Sequence, residues 1–323
     1  MSRILVTGGL GFIGSNFISR IINTGNLIVN IDSETYASIE KTSLNFELYQ
    51  NYKHYRVDIA DFKKVDEIIN KYLFDFIFHF AAESHVDNSI NNPFIFCKTN
   101  VFGTLNLLES YKNLNKKNKM FVHVSTDEVF GSIKKGNFDE NSKYMPNSPY
   151  SASKASSNHF VRAYFKTHNL PIVITNCSNN FGPYQNKEKF IPTIIDSLIK
   201  KNKIPVYGNG KNIREWIDVN DHNDALIFLS KNGVIGEEYC IGSSNRFTNI
   251  SLVKKICNIY DELTNNKNSE KLISFVGDRK GHDFRYALDS SKLFRLGWKC
   301  KSLFNISLKN TIEWYLSNKN FLN

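Results

Sequence analysis

The chain has 323 residues, of which 41% are hydrophobic and 22% charged, proportions typical of a soluble globular protein with one or two domains. Its formal net charge is +10, but the lysines are spread along the chain without a zinc-finger, helix-turn-helix or RNP-like signature, so we expect no nucleic-acid partner. It starts without a basic-then-apolar leader and contains no apolar run long enough to cross a bilayer, which predicts a cytoplasmic protein without a membrane partner.

The first half of the chain alternates short apolar runs with segments of helical period. The predicted strands are 4–7, 27–31, 52–57, 76–80, 120–125 and 172–175, and the predicted helices are 13–22, 62–72, 99–111 and 150–168. Strands separated by helices of this length form βαβ units, so we predict an α/β fold with a doubly wound parallel sheet. The run 76–80 does not alternate in polarity, as expected of a strand buried on both faces.

A glycine-rich turn lies between the first predicted strand and the first predicted helix. Its sequence is Thr7-Gly8-Gly9-Leu10-Gly11-Phe12-Ile13-Gly14. The glycines at 8, 11 and 14 let the main chain turn tightly and approach a pyrophosphate, which a helix N-terminus stabilises. The spacing is GxxGxxG, and a glycine trio by itself is often only a tight turn.

Residues after the later strands add the other features of a dinucleotide site. Asp32 ends the second strand, where an acidic side chain accepts hydrogen bonds from an adenosine ribose, and its charge repels a 2′-phosphate. Asp58-Ile59 follows the third strand, at the place of the adenine amine, and Ala81-Ala82 offers small side chains where a dinucleotide passes. These residues favour NAD over NADP.

After about residue 181 the pattern changes to Gly-Pro turns, polar loops and shorter elements. We therefore predict an NAD-binding Rossmann domain over 1–180 and a smaller, more irregular substrate-binding domain over 181–323. Part of 215–240 is expected to return to the first domain. The five cysteines are scattered, odd in number and never spaced as Cys-x-x-Cys, which argues against a disulfide framework and a metal site.

Two groups of residues predict the chemistry. Tyr150 and Lys154 lie four residues apart at the start of a helix and share one face, where an ammonium lowers the pKa of a phenol and makes it a usable base. The alternative is a surface tyrosine packed on a lysine stem. Thr126-Asp127-Glu128 ends the fifth strand, at the edge of the sheet where ligands bind. These two carboxylates are either an acidic loop cap or the acid and base of a water elimination.

These motifs resemble the extended short-chain dehydrogenase/reductase family, and the resemblance also includes Asn179-Asn180-Phe181-Gly182-Pro183. The segments 81–87, 126–128 and 278–283 resemble the dTDP-glucose 4,6-dehydratase branch, and the similarity covers essentially the whole chain. The resemblance implies an NAD-dependent hydro-lyase that converts a nucleoside-diphosphate glucose to its 4-keto-6-deoxy derivative, early in rhamnose or deoxysugar biosynthesis. It also implies a homodimer formed through 99–111 and 150–168.

The family mechanism assigns a role to each matching residue. Tyr150 removes the O4 proton of glucose while C4 gives its hydride to NAD, and Thr126 hydrogen-bonds that oxygen. Glu128 then abstracts the C5 proton, which the new ketone acidifies, and Asp127 protonates the departing C6 hydroxyl. Lys154 assists Tyr150. Hydride returns to C6, so the cofactor ends the cycle unchanged.

The same resemblance assigns the remaining ligand contacts. Residues expected to touch NAD, with Tyr150 and Lys154, are Gly8, Gly11, Phe12, Ile13, Gly14, Asp32, Asp58, Ile59, Ala81, Ala82, Thr99 and Asn180. Residues expected to hold the nucleotide sugar, with Thr126, are Ser84, Asn179, Lys189, Phe190, Pro205, Val206, Tyr207, Arg214, Asn249, Arg279 and His282. Arg214 and Arg279 are expected on the diphosphate, because guanidinium groups match phosphate oxygens.

Other functions and another base remain open. A nucleotide-sugar 4-epimerase or a UDP-glucuronate decarboxylase uses the same Tyr and Lys without the acid pair, and a dinucleotide-sensing protein needs neither. Asn88 stands where the dTDP-glucose enzymes usually carry Arg, and Asp218, Lys280 and Phe284 are further departures. The sequence resembles the UDP-glucose dehydratase modules of plant rhamnose synthases at Asn88, so UDP-glucose is the first expectation for the substrate, with dTDP-glucose close behind.

Overall fold

The computed structural model describes residues 1–114, 119–278 and 281–322, and only the main chain of residue 42. Its strands are β1 (Arg3–Thr7), β2 (Leu27–Asp32), β3 (Tyr52–Arg56), β4 (Phe76–His79), β5 (Met120–Thr126), β6 (Ile172–Cys177), β7 (Asn179–Phe181), β8 (Ile204–Tyr207), β9 (Ile213–Asp218), β10 (Glu238–Ile241), β11 (Arg246–Thr248) and β12 (Ile273–Val276). Its α-helices are α1 (Phe12–Ile21), α2 (Lys41–Leu44), α3 (Phe62–Tyr72), α4 (Val86–Asn91), α5 (Pro93–Phe96), α6 (Thr104–Lys112), α7 (Pro149–His168), α8 (Phe190–Lys200), α9 (Val219–Asn232), α10 (Asn249–Thr264), α11 (Ser291–Arg295) and α12 (Phe304–Ser317).

Within the described residues, seven strands form one sheet in the order β10-β6-β5-β4-β1-β2-β3. All neighbours in this sheet pair in parallel. The strand order reverses between β1 and β4, and this reversal opens a crevice at the carboxyl ends of the strands. The predicted doubly wound parallel sheet is therefore confirmed.

Helices cover both faces of the sheet. One face packs with α1 and α9 in a cluster that contains Phe17, Leu226 and the β1 residue Val6. The other face packs with α3, α6 and α7 in a second cluster, to which β1 contributes Leu5. Consecutive residues of β1 are fully buried on opposite faces, which explains why the strand sequences are apolar without alternation.

The helix predicted over 99–111 begins earlier than expected. Pro93 starts α5, where a proline at the first helical position costs no hydrogen bond. The chain then continues through a π-helical turn, Cys97–Gly103, into α6. The apolar period of 99–111 marks only the second part of this helical segment, so its start was missed.

The expectation of short, irregular elements after residue 181 is wrong. In this region α8, α9, α10 and α12 have 11, 14, 16 and 14 residues. Helix α10, for example, buries Leu252, Val253, Ile256 and Tyr260 at helical spacing in a third apolar cluster. Strand β10 pairs with β6 and so belongs to the seven-stranded sheet. Among the described residues, no helix combines the length and the hydropathy that crossing a membrane requires.

Candidate active site

A cavity of about 600 Å³ lies at the carboxyl ends of the central strands, between the large sheet and the C-terminal region. It brings together most of the residues that the sequence singles out: Gly8, Gly11, Phe12, Ile13, Gly14, Ala82, Ser84, Thr126, Asp127, Glu128, Tyr150, Lys154, Asn179, Asn180, Lys189, Phe190, Pro205, Tyr207, Arg214, Asn249 and His282. The cavity lies where the sheet topology places ligands in open α/β proteins.

The glycine-rich turn forms the floor of this cavity. Gly8 has φ +73°, and a Cβ there would lie 2.7 Å from the main chain of Ala81. A Cβ on Gly14 would lie 2.3 Å from the main-chain oxygen of Gly8. Gly11 precedes α1 without a side-chain cap, and the first residues of the helix line the cavity with N–H groups that have no intrahelical partners. This cradle fits a pyrophosphate.

Strand β2 holds the turn in place. Asn30 Oδ1 accepts a 2.9 Å hydrogen bond from Gly9 N, and Asp32 Oδ2 accepts one of 2.9 Å from Leu10 N. Asp32 Oδ1 accepts from Glu34 N at 2.9 Å and from Ser38 Oγ at 3.0 Å. The carboxylate at the end of β2 therefore shapes the loop, a role that its position in the sequence did not show.

Six predicted ligand residues do not line the cavity: Asp32, Asp58, Ile59, Ala81, Thr99 and Val206. Asp58 pairs with Lys98 at 2.9 Å, and Ile59 is buried against Gly103. Val206 is fully buried in the C-terminal core, so only its main chain is left to reach a ligand. Arg279 and Lys280 lie outside the described residues.

The start of α7 places Tyr150 and Lys154. Ser148 caps the helix, its side chain accepting from Ser151 N, and Pro149 occupies the first turn. One turn later, Lys154 Nζ donates a 2.8 Å hydrogen bond to the main-chain oxygen of Val124 in β5. Burial lowers the pKa of Lys154 to about 8.

The expectation of a lowered Tyr150 pKa is wrong: in the folded chain this pKa is raised. Burial and the Glu128 carboxylate raise the pKa of Tyr150 well above its ordinary value, against a lowering contribution from a Thr126 hydrogen bond. Tyr150 is 8% exposed, so removal of water from its hydroxyl opposes ionisation. Sequence spacing shows which residues share a helix face, but not how far that face is buried from solvent.

The acid pair lies on a 3-10 turn that follows β5. Thr126 Oγ1 donates to Asp127 Oδ1 at 3.2 Å and accepts from Glu128 N at 3.2 Å. Asp127 is 1% exposed, whereas Glu128 is partly exposed. Burial, with the carboxylates of Glu128 and Glu215, raises the pKa of Asp127 well above its ordinary value. This shift favours the protonated carboxyl, which fits a general acid.

The C-terminal region contributes cations to the opposite wall. The Arg214 guanidinium donates to the main-chain oxygens of Ile213 and Asp283, each at 2.9 Å, and stacks 4.2 Å from the Tyr286 ring. Lys189 Nζ donates to the main-chain oxygen of Ser84 at 2.9 Å, which joins the two regions across the cavity. A fixed guanidinium and an ammonium on one wall suit an anionic ligand.

Several buried polar atoms around the cavity have no hydrogen-bond partner among the described residues: Ser125 Oγ, Asp127 Oδ2, Ser178 Oγ, Asn180 Oδ1, Gln185 Oε1 and Trp216 Nε1. Buried polar groups in proteins are nearly always paired. Their grouping on the walls of one cavity indicates a polar ligand of considerable size.

The cavity also includes residues to which the sequence assigned no role: His85, Asp87, Cys177, Gln185, Glu188, Trp216, Asp283 and Tyr286. The run His85-Val86-Asp87 was part of a quoted motif, and Tyr286 follows His282 by four residues, so proximity to these motifs was the available signal. The described residues contain no cluster of His, Cys, Asp and Glu suited to a metal ion.

The doubly wound sheet, the glycine turn and the cavity at the strand-order reversal define a dinucleotide-binding protein of the Rossmann class. The chain belongs to the GDP-mannose 4,6 dehydratase family, whose model matches residues 5–311.

Relatives and solved structures resemble this chain over nearly its full length. It is 46% identical to a dTDP-glucose 4,6-dehydratase of Escherichia coli, covering 98% of this chain and 94% of the relative. It is 45% identical to that of Haemophilus influenzae, covering 98% and 99%. The crystal structure of dTDP-glucose 4,6-dehydratase from Streptomyces venezuelae, which has NAD bound, superposes with a TM-score of 0.93 at 38% identity, covering 99% and 98%.

Proposed function

We propose that this chain is an NAD-dependent nucleoside-diphosphate-glucose 4,6-dehydratase, a hydro-lyase that forms the 4-keto-6-deoxy sugar. The observation that carries the proposal is the acid pair: buried Asp127, whose pKa is raised, beside partly exposed Glu128, in one cavity with Tyr150. One acid and one base in different surroundings are what an elimination of water needs. The relatives named as dTDP-glucose 4,6-dehydratases support the same activity.

NAD, when bound, supplies the acceptor and donor of one hydride, so no external oxidant is consumed. Tyr150 takes the proton from the sugar O4, and Thr126 orients that oxygen. Glu128 removes the C5 proton that the C4 ketone has acidified. Asp127 gives its proton to the C6 hydroxyl, which leaves as water, and Glu128 returns a proton to C5.

The protein groups fit this pair of ligands. The glycine turn and the start of α1 would hold the pyrophosphate of NAD, and Asp32 would accept from the adenosine ribose. Arg214 and Lys189 would pair with the diphosphate of the sugar nucleotide. We propose residues 1–180 as the NAD-binding domain, to which α9 and β10 return, and the rest of 181–323 as the sugar-nucleotide domain.

The competing functions make less use of these residues. A 4-epimerase and a UDP-glucuronate decarboxylase oxidise C4 but eliminate no C6 water, so a buried carboxyl with a raised pKa has no task in either reaction. A dinucleotide-sensing protein needs no acid pair and no Tyr150-Lys154 pair. The presence of both pairs in one cavity favours an enzyme over a sensor.

The nucleotide base of the substrate is proposed from the relatives. Their names favour dTDP-glucose over the UDP-glucose that Asn88 suggested. Asn88 Nδ2 donates to Tyr36 Oη at 3.2 Å, and Asn88 is not among the cavity residues. Its side chain therefore lies outside the lining of the cavity, and we propose dTDP-glucose as the preferred substrate.

Assembly and location are also proposed. Phe94, Ile95 and Phe102 are 83%, 41% and 59% exposed along 93–103, and Phe160 on α7 is 38% exposed. An exposed apolar surface on these segments fits a homodimer interface.

The five free cysteines fit a reducing compartment, so we propose a cytoplasmic enzyme.

The test is incubation of the purified protein with dTDP-glucose and, separately, UDP-glucose. A 4-keto-6-deoxy product absorbs near-ultraviolet light in alkali, and mass spectrometry shows the loss of one water. We expect product from the wild type and none from Asp127→Asn/Glu128→Gln. An inverted C4 centre without loss of water would indicate an epimerase, and an unchanged sugar despite NAD binding would indicate a sensor.

A further inference from the structure

A charged cluster lies just beyond the end of β2. Glu34 Oε1 contacts Lys41 Nζ at 2.7 Å and His54 Nε2 at 2.9 Å, and Glu34 Oε2 lies 3.8 Å from Arg56 Nε. Glu34 has φ +56°, a left-handed conformation that is uncommon for residues other than glycine. One carboxylate is therefore shared by three basic side chains.

This cluster adjoins Asp32, the residue proposed to bind the adenosine ribose. Glu34 N donates to Asp32 Oδ1 at 2.9 Å. Arg56 is the register partner of Asp32 in the parallel pair of β2 and β3, and His54 is that of Asn30. Side chains of paired residues project to the same face of a sheet, so His54 and Arg56 extend on the side of Asp32.

The charges of this cluster decide what it attracts. Without Glu34, the cations of Lys41 and Arg56 and the imidazole of His54 would lose the carboxylate that they share, next to the proposed ribose position. A basic side chain near this position accommodates the 2′-phosphate of NADP. Hydrogen bonds from Lys41 and His54 hold the pKa of Glu34 below its ordinary value, so Glu34 is ionised at neutral pH. Its carboxylate neutralises one cation and occupies the site.

We propose that Glu34 is a second determinant of cofactor choice, which occupies the cationic site of Lys41, His54 and Arg56 and thereby excludes a 2′-phosphate. The proposal rests on the NAD binding of the proposed function. Asp32 repels the phosphate by charge, whereas Glu34 competes with it for the same basic groups. Removal of Glu34 alone should weaken the preference for NAD without inverting it, because Asp32 remains.

The test measures binding rather than turnover, by calorimetry with ADP-ribose and 2′-phospho-ADP-ribose. In Glu34→Gln the amide keeps a hydrogen-bond acceptor for Lys41 but loses the charge. We expect the ratio of the two dissociation constants to move at least tenfold toward the 2′-phosphate. Glu40→Gln, an exposed residue of the same loop, removes the same charge and should move the ratio less than twofold.

The double variant Glu34→Gln/Lys41→Gln separates charge from loop structure. Removal of one cation should restore most of the wild-type ratio. An unchanged ratio in Glu34→Gln, or an equal loss of affinity for both ligands, would overturn the inference and leave the dehydratase assignment intact. A wild-type protein that binds neither ligand would overturn the NAD-dependent function and this inference with it. Equal thermal unfolding of the variants checks that each one folds.

Discussion

Lys154 Nζ donates a 2.8 Å hydrogen bond to the main-chain oxygen of Val124, and both residues line the cavity. This contact joins α7, which carries Tyr150, to β5, which ends in Thr126 and the acid pair. Val124 lies two residues before Thr126 in the same strand. One buried ammonium therefore connects the two elements that carry the proposed catalytic residues.

Lys154 should produce the alkaline limb of the pH profile. Burial lowers its pKa to about 8, so turnover that needs the ammonium should decline above about pH 8. In Lys154→Arg the cation stays charged, so this limb should disappear although turnover at pH 7 falls about 10²-fold from altered geometry. The measurement is kcat against pH from 6 to 10, and an unchanged alkaline limb in the variant would argue against Lys154 as its source.

Lys154 also makes the free energy of unfolding depend on pH between about 8 and 10.5. The folded chain releases the Lys154 proton near pH 8, whereas the unfolded chain keeps it up to about 10.5. Between these values the unfolded state binds more protons, so the Lys154 contribution makes the free energy of unfolding rise with pH. Urea unfolding at pH 8 and pH 9.5, compared between the wild type and Lys154→Met, checks the sign.

Asp127→Asn should lose activity and gain stability. Loss of the general acid should lower kcat by about 10²- to 10⁴-fold. The folded pKa of Asp127 is raised above 3.8, so above that pH the folded chain retains a proton that the unfolded chain releases, and stability falls as pH rises. The amide avoids this cost, and we expect a gain of about 1 kcal/mol or more in the free energy of unfolding at pH 7.

The gain in the free energy of unfolding of Asp127→Asn should shrink as the pH is lowered toward 4, because the Asp127 carboxyl of the unfolded wild type also becomes protonated there. Glu67→Gln, an exposed carboxylate on α3, is the control for a simple change in net charge and should alter neither quantity. A variant with wild-type kcat would show that Asp127 is not the acid.

Glu128→Gln should separate oxidation from elimination. The wild type in D2O should place solvent deuterium at C5 of the product, because Glu128 removes and returns that proton. The variant should still oxidise C4, seen as absorbance of bound NADH at 340 nm, but without exchange at C5 and with kcat reduced about 10²-fold or more. Deuterium at C5 at the wild-type rate would assign the base to another residue.

The proposed homodimer depends on exposed aromatic side chains. Phe102→Glu places a charge on this surface and should yield monomers in light scattering after gel filtration, because an unpaired charge opposes burial in an interface. Phe275→Glu is the matched control, since Phe275 is 58% exposed and Phe102 is 59% exposed. Dissociation by the control, or a wild-type protein that is already monomeric, would contradict this interface.

The preference for dTDP-glucose has two sources. Thymine carries one methyl group that uracil lacks, worth about 1–3 kcal/mol, and the ribose of UDP carries a 2′-hydroxyl that dTDP lacks, so kcat/KM for dTDP-glucose should exceed that for UDP-glucose by about tenfold or more. Side-by-side assays at equal concentrations of enzyme give this ratio. A preference for UDP-glucose would support the expectation from Asn88 and refute the proposed base, but not the dehydratase activity.

The sequence by itself determined the parallel sheet, the glycine turn and the residues gathered at the carboxyl ends of the strands. The alternation of strands and helices up to residue 175 predicted the parallel sheet, since buried strands and amphipathic helices leave different apolar periods. The glycine turn and the Tyr150-Lys154 pair were also visible, because glycine conformation and helix spacing are local properties. Parallel strands end at one edge, so residues far apart in sequence were correctly expected to meet there.

Only the tertiary structure decided how these residues behave. The raised pKa of Asp127, the lowered pKa of Lys154 and the raised pKa of Tyr150 arise from burial by residues distant in sequence. The contacts of Glu34 with Lys41 and His54 join a loop to a neighbouring strand, and no spacing rule connects them. The long helices after residue 181 were missed because their stability comes from packing against one another, which local patterns report only weakly.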